Sequence, residues 1–306
     1  MGNDFCFAWE IKLMAAIQQH LAPWAVGFFK IITEFGDATF LVAILGFIYW
    51  AYNKEMGKKV GIVLLVSTFL NPMIKDIFLR RRPYFDHPEV TCLKKVSSEG
   101  DLYDIAAQGY SFPSGHSMSA ASTYGGIQKR VKQKAVRTIC VLLILLVGIS
   151  RFCLGVHYPT DVLVGWGVGL LLVMGVPFLQ AKIGNDRIFY GVLILCALPG
   201  IFYCRENDYF TGLGILIGFI LGDLFERRYV NFANTRKLPA MIARTVGGLA
   251  IYLGVNSVLK LPFSTAFLNS QTLPAFLVRT GRYTIVMFLL IGVYPMLFKW
   301  TTRKNK

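Results

Sequence analysis

The sequence has little of what a soluble enzyme or a disulfide-rich secreted protein needs. Only 16% of its 306 residues are charged while 55% are hydrophobic, and the mean hydropathy is +0.52, which excludes an ordinary soluble domain. The six cysteines show no CxxC spacing and no histidine partner, so neither a metal site nor a disulfide framework is expected, although a bridge between Cys92 and Cys204 stays open. Residues 1–20 lack a basic start and a small-residue cleavage site, so no detachable signal peptide is expected.

Acidic residues are scarce as well, with 17 Asp and Glu against 32 Lys and Arg and a formal net charge of +15. Such a charge is compatible with nucleic-acid binding. Here, however, the basic residues lie in short segments between apolar runs, where they set membrane topology. We therefore expect no nucleic-acid partner, and the lipid bilayer is the partner that the composition indicates.

Apolar runs long enough to cross a bilayer recur between Thr39 and Trp300, which predicts an all-α, polytopic bundle of membrane helices. Firm spans are expected at 39–52 (with residues from before Gly36 needed to cross fully), 60–79, 111–137, 138–156 and 160–180. Weaker spans are expected near 187–204, 209–225, 239–259 and 283–300.

Two segments before the first span have other predicted roles. Residues 5–21 read as an amphipathic helix in the membrane interface, with Glu10, Lys12, Gln18 and Gln19 on its polar side. Residues 23–35 are apolar but short, which is typical of a re-entrant piece.

Orientation follows from the distribution of basic residues. If the loop after the first span lies inside, the inside segments hold 18 of the 32 Lys and Arg and the outside segments hold ten. The positive-inside rule then places the 84–110 loop and the 111–117 stretch on the extracytoplasmic side.

The stretch SFPSGHS, residues 111–117, predicts an anion site at the start of a helix. Ser114 suits a helix N-cap next to Pro113, and Gly115 lets a ligand approach the backbone. The free N–H groups at such a helix start favour an anion. His116 then lies beside that anion.

A second stretch carries cations at the outer end of the 60–79 span. Lys75 and Arg82 are seven residues apart, so we expect them on one helical face, with Pro83 ending the helix. An ammonium and a guanidinium together suit a dianionic phosphoryl group. Arg80 and Arg81 are expected only to reach for lipid headgroups.

A third stretch joins Arg151, His157 and Asp161. Asp161, four residues after His157, can accept the Nδ1 hydrogen and leave Nε2 as a nucleophile. Because all three stretches lie at outer ends of spans, we expect them to converge in a phosphoryl-transfer site that needs no metal. His20 and His87 lie outside these three stretches and are expected to be surface residues.

These stretches, Lys75-x6-Arg82-Pro83, Pro113-Ser114-Gly115-His116 and Ser150-Arg151-x5-His157-x3-Asp161, resemble the complete three-part signature of the type 2 phosphatidic acid phosphatase (PAP2) superfamily. The resemblance implies a metal-independent phosphoric monoester hydrolase without a cofactor, acting on a lipid phosphate or pyrophosphate. It implies a phosphohistidine on His157, with His116 as general acid and Asp161 as the group that orients His157. The phosphate holders that it implies are Lys75, Arg82, Ser114, Gly115 and Arg151.

Together with the pattern of spans, the resemblance leads us to expect an interfacial or re-entrant segment at 1–35, a catalytic membrane core at 36–182 and additional spans at 183–306. The distribution of basic residues favours an extracytoplasmic site, and we expect a plasma-membrane protein. Two alternatives stay open: a lipid phosphotransferase using the same site, and a membrane transporter or scaffold. In the additional spans, Arg244 is expected to form a structural ion pair with Asp223 or Glu226.

Overall fold

The structure is a computed structural model that describes residues 2–97 and 100–298, and the regular secondary structure of that part is helical. In chain order the helices are α1 (Ala8–His20), α2 (Pro23–Ile32), α3 (Ala38–Phe47), α4 (Lys54–Phe78), α5 (Pro83–Asp86), α6 (Ile105–Gln108), α7 (Gly115–Gln128), α8 (Lys134–Cys153), α9 (Pro159–Ile183), α10 (Asp186–Ala197), α11 (Gly200–Tyr203), α12 (Asn207–Phe225), α13 (Leu238–Val258), α14 (Thr265–Leu268) and α15 (Leu273–Phe288). Short 3-10 or π-helical segments follow α2, α3, α12 and α15, at Thr33–Gly36, Ile48–Tyr52, Glu226–Val230, Leu289–Val293 and Tyr294–Leu297.

Among the described residues, seven helical segments are long and apolar enough to cross a membrane. They are Lys54–Phe78, Lys134–Cys153, Pro159–Ile183, Asp186–Tyr203, Asn207–Val230, Leu238–Val258 and Leu273–Leu297. Their outward faces carry large apolar side chains, such as Leu171 and Phe178 on α9, which are 68% and 69% exposed. The predicted all-α, multi-pass membrane fold is therefore confirmed. The predicted last span, 283–300, ends in residues that lie outside the described part of the chain.

The predicted first span is part of a bent helix pair. Pro23–Gly36 and Ala38–Tyr52 meet at an angle of 55° and count as an eighth span only if they are taken together. The break lies at Asp37, whose side-chain Oδ1 accepts a hydrogen bond of 2.8 Å from the Thr39 N–H at the start of the second helix. A side chain that caps a new helix in this way favours a break in the chain direction.

Helix α7 is shorter than the span predicted for residues 111–137. Its 14 residues cover about 21 Å, less than the roughly 30 Å of bilayer hydrocarbon. Small residues let it lie close to α9: a Cβ added to Gly165 or Gly169 would come within 2.8 Å of the Ser114 oxygen or 2.6 Å of the Met118 oxygen. This close packing fixes the start of α7 beside the start of α9.

The chain forms two compact units. The first comprises the described residues of Met1–Leu41 and Leu70–Phe178, and the second those of Val42–Phe69 and Leu179–Lys306. All of the candidate catalytic residues belong to the first unit.

Ion pairs in the second unit correct the expectation for Arg244. Asp223 lies 3.3 Å from Lys58 and 2.8 Å from Arg227, and Glu226 lies 2.8 Å from Lys54. Arg244 donates instead to two backbone carbonyl oxygens, those of Trp50 and Ala233, at 3.1 and 3.0 Å. The prediction that Arg244 pairs with Asp223 or Glu226 was therefore wrong, because lysines of α4 and a nearer arginine neutralise both carboxylates.

Candidate active site

Helix α4 carries Lys75 in its last turn but ends before Arg82. Leu79 adopts a left-handed conformation, with φ of 53°, and its N–H donates to the Lys75 oxygen at 2.8 Å. Arg82 follows in an extended conformation, as a residue before proline prefers. The expectation that Lys75 and Arg82 share one helical face was therefore wrong; a turn brings Arg82 to the site.

Backbone carbonyl groups hold the Arg82 side chain, which is 1% exposed. Its Nε donates to the oxygens of Gln108 and Gly109 at 2.9 and 3.0 Å, and Nη1 donates to the Val156 oxygen at 2.9 Å. Nη1 also lies 3.2 Å from His157 Nε2. Because an arginine only donates, this contact requires an unprotonated Nε2, which is the form that can attack phosphorus.

The start of α7 has the predicted capping geometry. The Ser114 Oγ accepts a hydrogen bond from the Ser117 N–H at 3.4 Å and one from the Ser117 hydroxyl at 2.9 Å. Gly115 leaves little room for a side chain, since an added Cβ would lie 3.1 Å from Asn71 Oδ1. Asn71 in turn donates to the Pro113 oxygen at 3.1 Å. The sequence reasoning missed Asn71, which holds the turn before the helix.

His116 is a neutral member of the site and Arg151 a cationic one, because burial and the positive charge of Arg151 lower the pKa of the His116 imidazole well below 6.5. Arg151 and His157 both lie close enough to His116 to act on it electrostatically. Arg151 is 3% exposed, and its Nη1 donates to Thr33 Oγ1 at 2.5 Å. The Arg151 Nε is buried without a hydrogen-bond partner among the described residues. A buried guanidinium with a spare donor is suited to a phosphate oxygen.

His157 is 2% exposed, and its environment lowers its pKa well below the usual 6.5. Burial is the largest cause, followed by the positive charges of Arg82, Arg151 and Lys75. With a lowered pKa the imidazole stays neutral as the pH falls through 6.5. An unprotonated imidazole, the form that a nucleophile needs, is therefore present throughout the neutral pH range.

Asp161 lies in the first turn of α9, with its Oδ2 3.4 Å from His157 Nδ1. That separation is long for a hydrogen bond, because Oδ2 already accepts from the Ser111 hydroxyl at 2.6 Å and the Tyr158 N–H at 2.8 Å. The other oxygen, Oδ1, accepts from Arg80 Nη1 at 2.6 Å. In this resting geometry the carboxylate is fixed by three groups and faces the imidazole.

The most important residues that the sequence reasoning missed are Arg80 and Glu10. Arg80 is 1% exposed and bridges two carboxylates, with Nη1 on Asp161 and Nη2 2.8 Å from Glu10 Oε2. Its guanidinium also lies 3.7 Å from the centre of the Tyr158 ring. Glu10 is completely buried and accepts from the Thr160 N–H and hydroxyl at 3.0 and 2.7 Å. The expectations of a headgroup-seeking Arg80 and of a Glu10 on a polar surface were wrong, since each neutralises the other.

Three other side chains that were expected at the surface, those of Arg81, His20 and His87, are at least partly exposed. Arg81 pairs with Asp86 at 2.7 Å and stays partly exposed. His20 is exposed, whereas His87 is half-buried with its Nε2 3.3 Å from Cys6 Sγ. All six cysteines are free thiols in this structure.

Comparisons with known proteins give matches over two parts of the chain. The model of the PAP2 superfamily matches residues 57–183, and the model of the PAP2 superfamily phosphatase transmembrane extension matches residues 210–306. A phosphatidylglycerophosphatase B of Bacillus subtilis is 34% identical over 178 residues, which cover 54% of this chain and 80% of that protein. No solved structure gives a significant match.

Two more distant relatives extend the comparison. A decaprenylphosphoryl-5-phosphoribose phosphatase of Mycobacterium tuberculosis is 29% identical, over 52% of this chain and 84% of that protein. A lipid phosphate phosphatase delta of Arabidopsis thaliana is 22% identical, over 86% of this chain and 68% of that protein. The chain therefore belongs to the PAP2 superfamily and is a multi-pass membrane phosphatase of the phosphoric monoester hydrolase class.

Proposed function

We propose that this protein removes phosphate from a phosphomonoester or pyrophosphate of a membrane lipid, through a phosphohistidine on His157 and without a metal. The observation that carries the proposal is the convergence of Lys75, Arg82 and Arg151 around His157, each acting on it electrostatically. The names of the three relatives, a phosphatidylglycerophosphatase, a decaprenylphosphoryl-5-phosphoribose phosphatase and a lipid phosphate phosphatase, also support a lipid-linked substrate.

In the proposed mechanism, the cations and the first N–H groups of α7 hold the non-bridging phosphate oxygens. Gly115 allows the phosphate to approach the backbone of this helix start. In the resting site Arg82 Nη1 donates to His157 Nε2. When substrate binds, Nη1 donates to a phosphate oxygen instead, which frees Nε2 for attack. Arg151 contributes the Nε that has no protein partner.

The reaction then proceeds in two displacements. The bound phosphate anion offsets the positive charges around His116, so the imidazole takes up a proton when substrate binds. His157 Nε2 then forms a bond to phosphorus while the bond to the leaving oxygen breaks, and His116 donates that proton to the leaving oxygen. Water next attacks the phosphohistidine, His116 accepts a proton from it, and inorganic phosphate leaves with neutral His157 restored. Asp161 stabilises the positive charge that develops on the imidazole by accepting from Nδ1.

The residues of the site offer no set of metal ligands. Within residues 2–97 and 100–298, no three His, Cys, Asp or Glu side chains are grouped so that they could hold a metal ion. In the proposed mechanism the cationic side chains and backbone N–H groups supply the charge stabilisation that a metal gives other phosphatases.

The surroundings of the site suit a substrate whose chain remains in the membrane. Ile77 and Phe78, at the end of α4 just before the turn that carries Arg80 and Arg82, are exposed, large and apolar. Phe5 is exposed as well, and its ring centre lies 6.4 Å from that of Phe78. A lipid whose headgroup enters here keeps its acyl or prenyl chain in hydrocarbon, which avoids a transfer cost of about 0.8 kcal/mol per CH₂. A water-soluble phosphate ester should therefore be a poor substrate, mainly through a higher KM.

The proposed activity can be measured with purified protein in excess EDTA. We expect phosphate release from one or more of phosphatidate, phosphatidylglycerophosphate, a sphingoid phosphate and a polyprenyl pyrophosphate, with inhibition by vanadate. Loss of activity in EDTA that magnesium restores would contradict the metal-independent mechanism. Phosphate transfer that requires an added alcohol would instead identify a phosphotransferase, and absence of any turnover would favour a transporter or scaffold.

The proposed extracytoplasmic location, in a plasma membrane, is tested by single cysteines in a background that lacks the six native ones. In intact cells, an impermeant maleimide should label a cysteine in the 84–110 loop and should not label one at Lys134, the first residue of α8. Ser98 suits the loop by sequence but lies outside the described residues, so Lys95, which is exposed, is the second loop position. The opposite labelling pattern would place the site on the cytoplasmic side and would contradict a substrate taken from the outer leaflet of the membrane.

A further inference from the structure

Two arginines of the second unit lie within a membrane span. Arg279 and Arg282 are the seventh and tenth residues of α15, and the corresponding span runs from Leu273 to Leu297. At 1.5 Å per residue they lie about 9 and 13 Å from the start of the helix. A spacing of three residues puts both on one face of α15.

Neither guanidinium has a carboxylate partner among the described residues. Arg282, which is 5% exposed, donates from Nη2 to Asn256 Oδ1 on α13 at 2.8 Å. Arg279 donates from Nη2 to the oxygen of Leu268, the last residue of α14, at 3.3 Å. The Nε of each arginine is buried without a hydrogen-bond partner in the described part of the chain.

Four other cations of this unit have stronger partners than these two arginines. Lys54, Lys58 and Arg227 each pair with an acidic side chain. Arg244 has no acidic partner, but its guanidinium donates to two carbonyl oxygens and lies 4.3 Å from the Phe298 ring centre. Arg279 and Arg282 therefore carry two positive charges but donate only to neutral oxygen atoms. Each also has a buried Nε that no acceptor of the described residues reaches.

Such a pair is unfavourable unless an anion joins it. A charged side chain inside a span needs a partner, and here the two like charges also repel each other. Within a bilayer the abundant anion is the phosphate of a lipid headgroup. Its oxygens match the forked donors of a guanidinium, and basic pockets between membrane helices bind such headgroups.

We propose that Arg279, Arg282 and Asn256 form a site for the phosphate group of an anionic phospholipid between α13 and α15. Arg279 reaches toward the residues before α15, so it meets the headgroup first. Arg282, one turn deeper, holds the same phosphate through its Nε. The site is proposed to bind lipid without hydrolysing it, since none of its three side chains can act as a nucleophile on phosphorus.

Phosphatidylglycerol is a suitable probe, because its phosphodiester lacks the terminal phosphate that the proposed reaction removes. Purified wild-type protein is delipidated and reconstituted with phosphatidylcholine alone or with added phosphatidylglycerol. Native mass spectrometry then counts bound lipid, and thermal unfolding reports its stabilising effect. We expect wild type to retain phosphatidylglycerol and to unfold at a higher temperature with it.

The variant Arg279→Gln/Arg282→Gln should retain one phosphatidylglycerol fewer and lose the thermal shift, with affinity falling about tenfold for each arginine replaced. Arg228→Gln, which removes an exposed arginine from the same unit, is the matched control and should behave as wild type. If the double variant does not fold, the half-buried Arg279→Gln alone serves, and a partial loss is expected.

Equal phosphatidylglycerol retention in wild type and variants would overturn the proposal. An arm with inorganic phosphate and no anionic lipid separates the two sources of phosphate. A thermal shift with inorganic phosphate that depends on the arginines, without any retained phosphatidylglycerol, would show a free-anion site and overturn the lipid assignment.

Discussion

Replacing His157 with alanine should abolish turnover and remove any acid-labile phosphoenzyme, because the proposed covalent intermediate forms on its Nε2. The loss should be roughly 10⁴-fold or greater, as expected when a nucleophile is deleted. Rapid quench with a ³²P-labelled lipid phosphate measures the trapped intermediate. His20→Ala, which removes an exposed histidine from α1, is the control and should leave both quantities unchanged.

His116→Ala should give a different defect in the same experiment. If His116 protonates the leaving oxygen, the loss should be about 10²–10⁴-fold for a poor alkoxide leaving group and much smaller for a good one. Formation of the phosphoenzyme should slow while the intermediate itself stays detectable. Covalent phosphate still trapped in His157→Ala would place the nucleophile elsewhere, and equal losses for both leaving groups would remove His116 from the acid role.

Arg80→Gln should lower kcat about 10²-fold and leave KM nearly unchanged. In the proposed mechanism Arg80 does not hold phosphate but fixes Asp161 Oδ1, and a shift of about 1 Å in a catalytic constellation lowers the rate by about that factor. The substitution also leaves Glu10 and Asp161 as buried carboxylates without their partner. Breaking such a buried pair costs about 3–5 kcal/mol of folding free energy.

Two further variants separate positioning from a general loss of stability. Arg80→Lys keeps the charge but cannot bridge both carboxylates with a fork, so its kcat should be intermediate. Arg81→Gln is the matched control, because its partly exposed pair with Asp86 lies one residue away and should not affect kcat. Full activity in a folded Arg80→Gln protein, or a rise in KM with kcat unchanged, would show that Arg80 does not position the catalytic groups.

The fold was largely predictable because a bilayer imposes a length and a composition on each span. The exceptions have local causes. Helix α7 falls short of a full span because it starts only after its Ser114 cap and ends at Gln128, before the basic residues that the prediction had included. The end of α4 was misplaced because the left-handed Leu79, which has no glycine or asparagine signal, stops the helix before Arg82.

The sequence predicted only those contacts of the candidate site that join residues close together in the chain. His157 and Asp161 are four residues apart, so the sequence places them together. Glu10 and Arg80 are 70 residues apart, and an amphipathic pattern shows that Glu10 lies on a polar face without showing what that face meets. A charged residue that pairs with another buried charge gives the same sequence pattern as one that is exposed to water. The interpretation of Arg80 failed for that reason.

The chain of contacts from Glu10 through Arg80 to Asp161 also has a consequence for biosynthesis. Its members emerge from the ribosome in that order, separated by 70 and then 81 residues. Arg80 can meet Glu10 early, but Asp161 arrives only with α9. Until α9 has been inserted, Arg80 Nη1 therefore lacks its carboxylate acceptor, and the candidate catalytic histidines acquire their final setting only at that late step. Assembly of the candidate catalytic centre is thus tied to completion of the first unit rather than to insertion of any one helix.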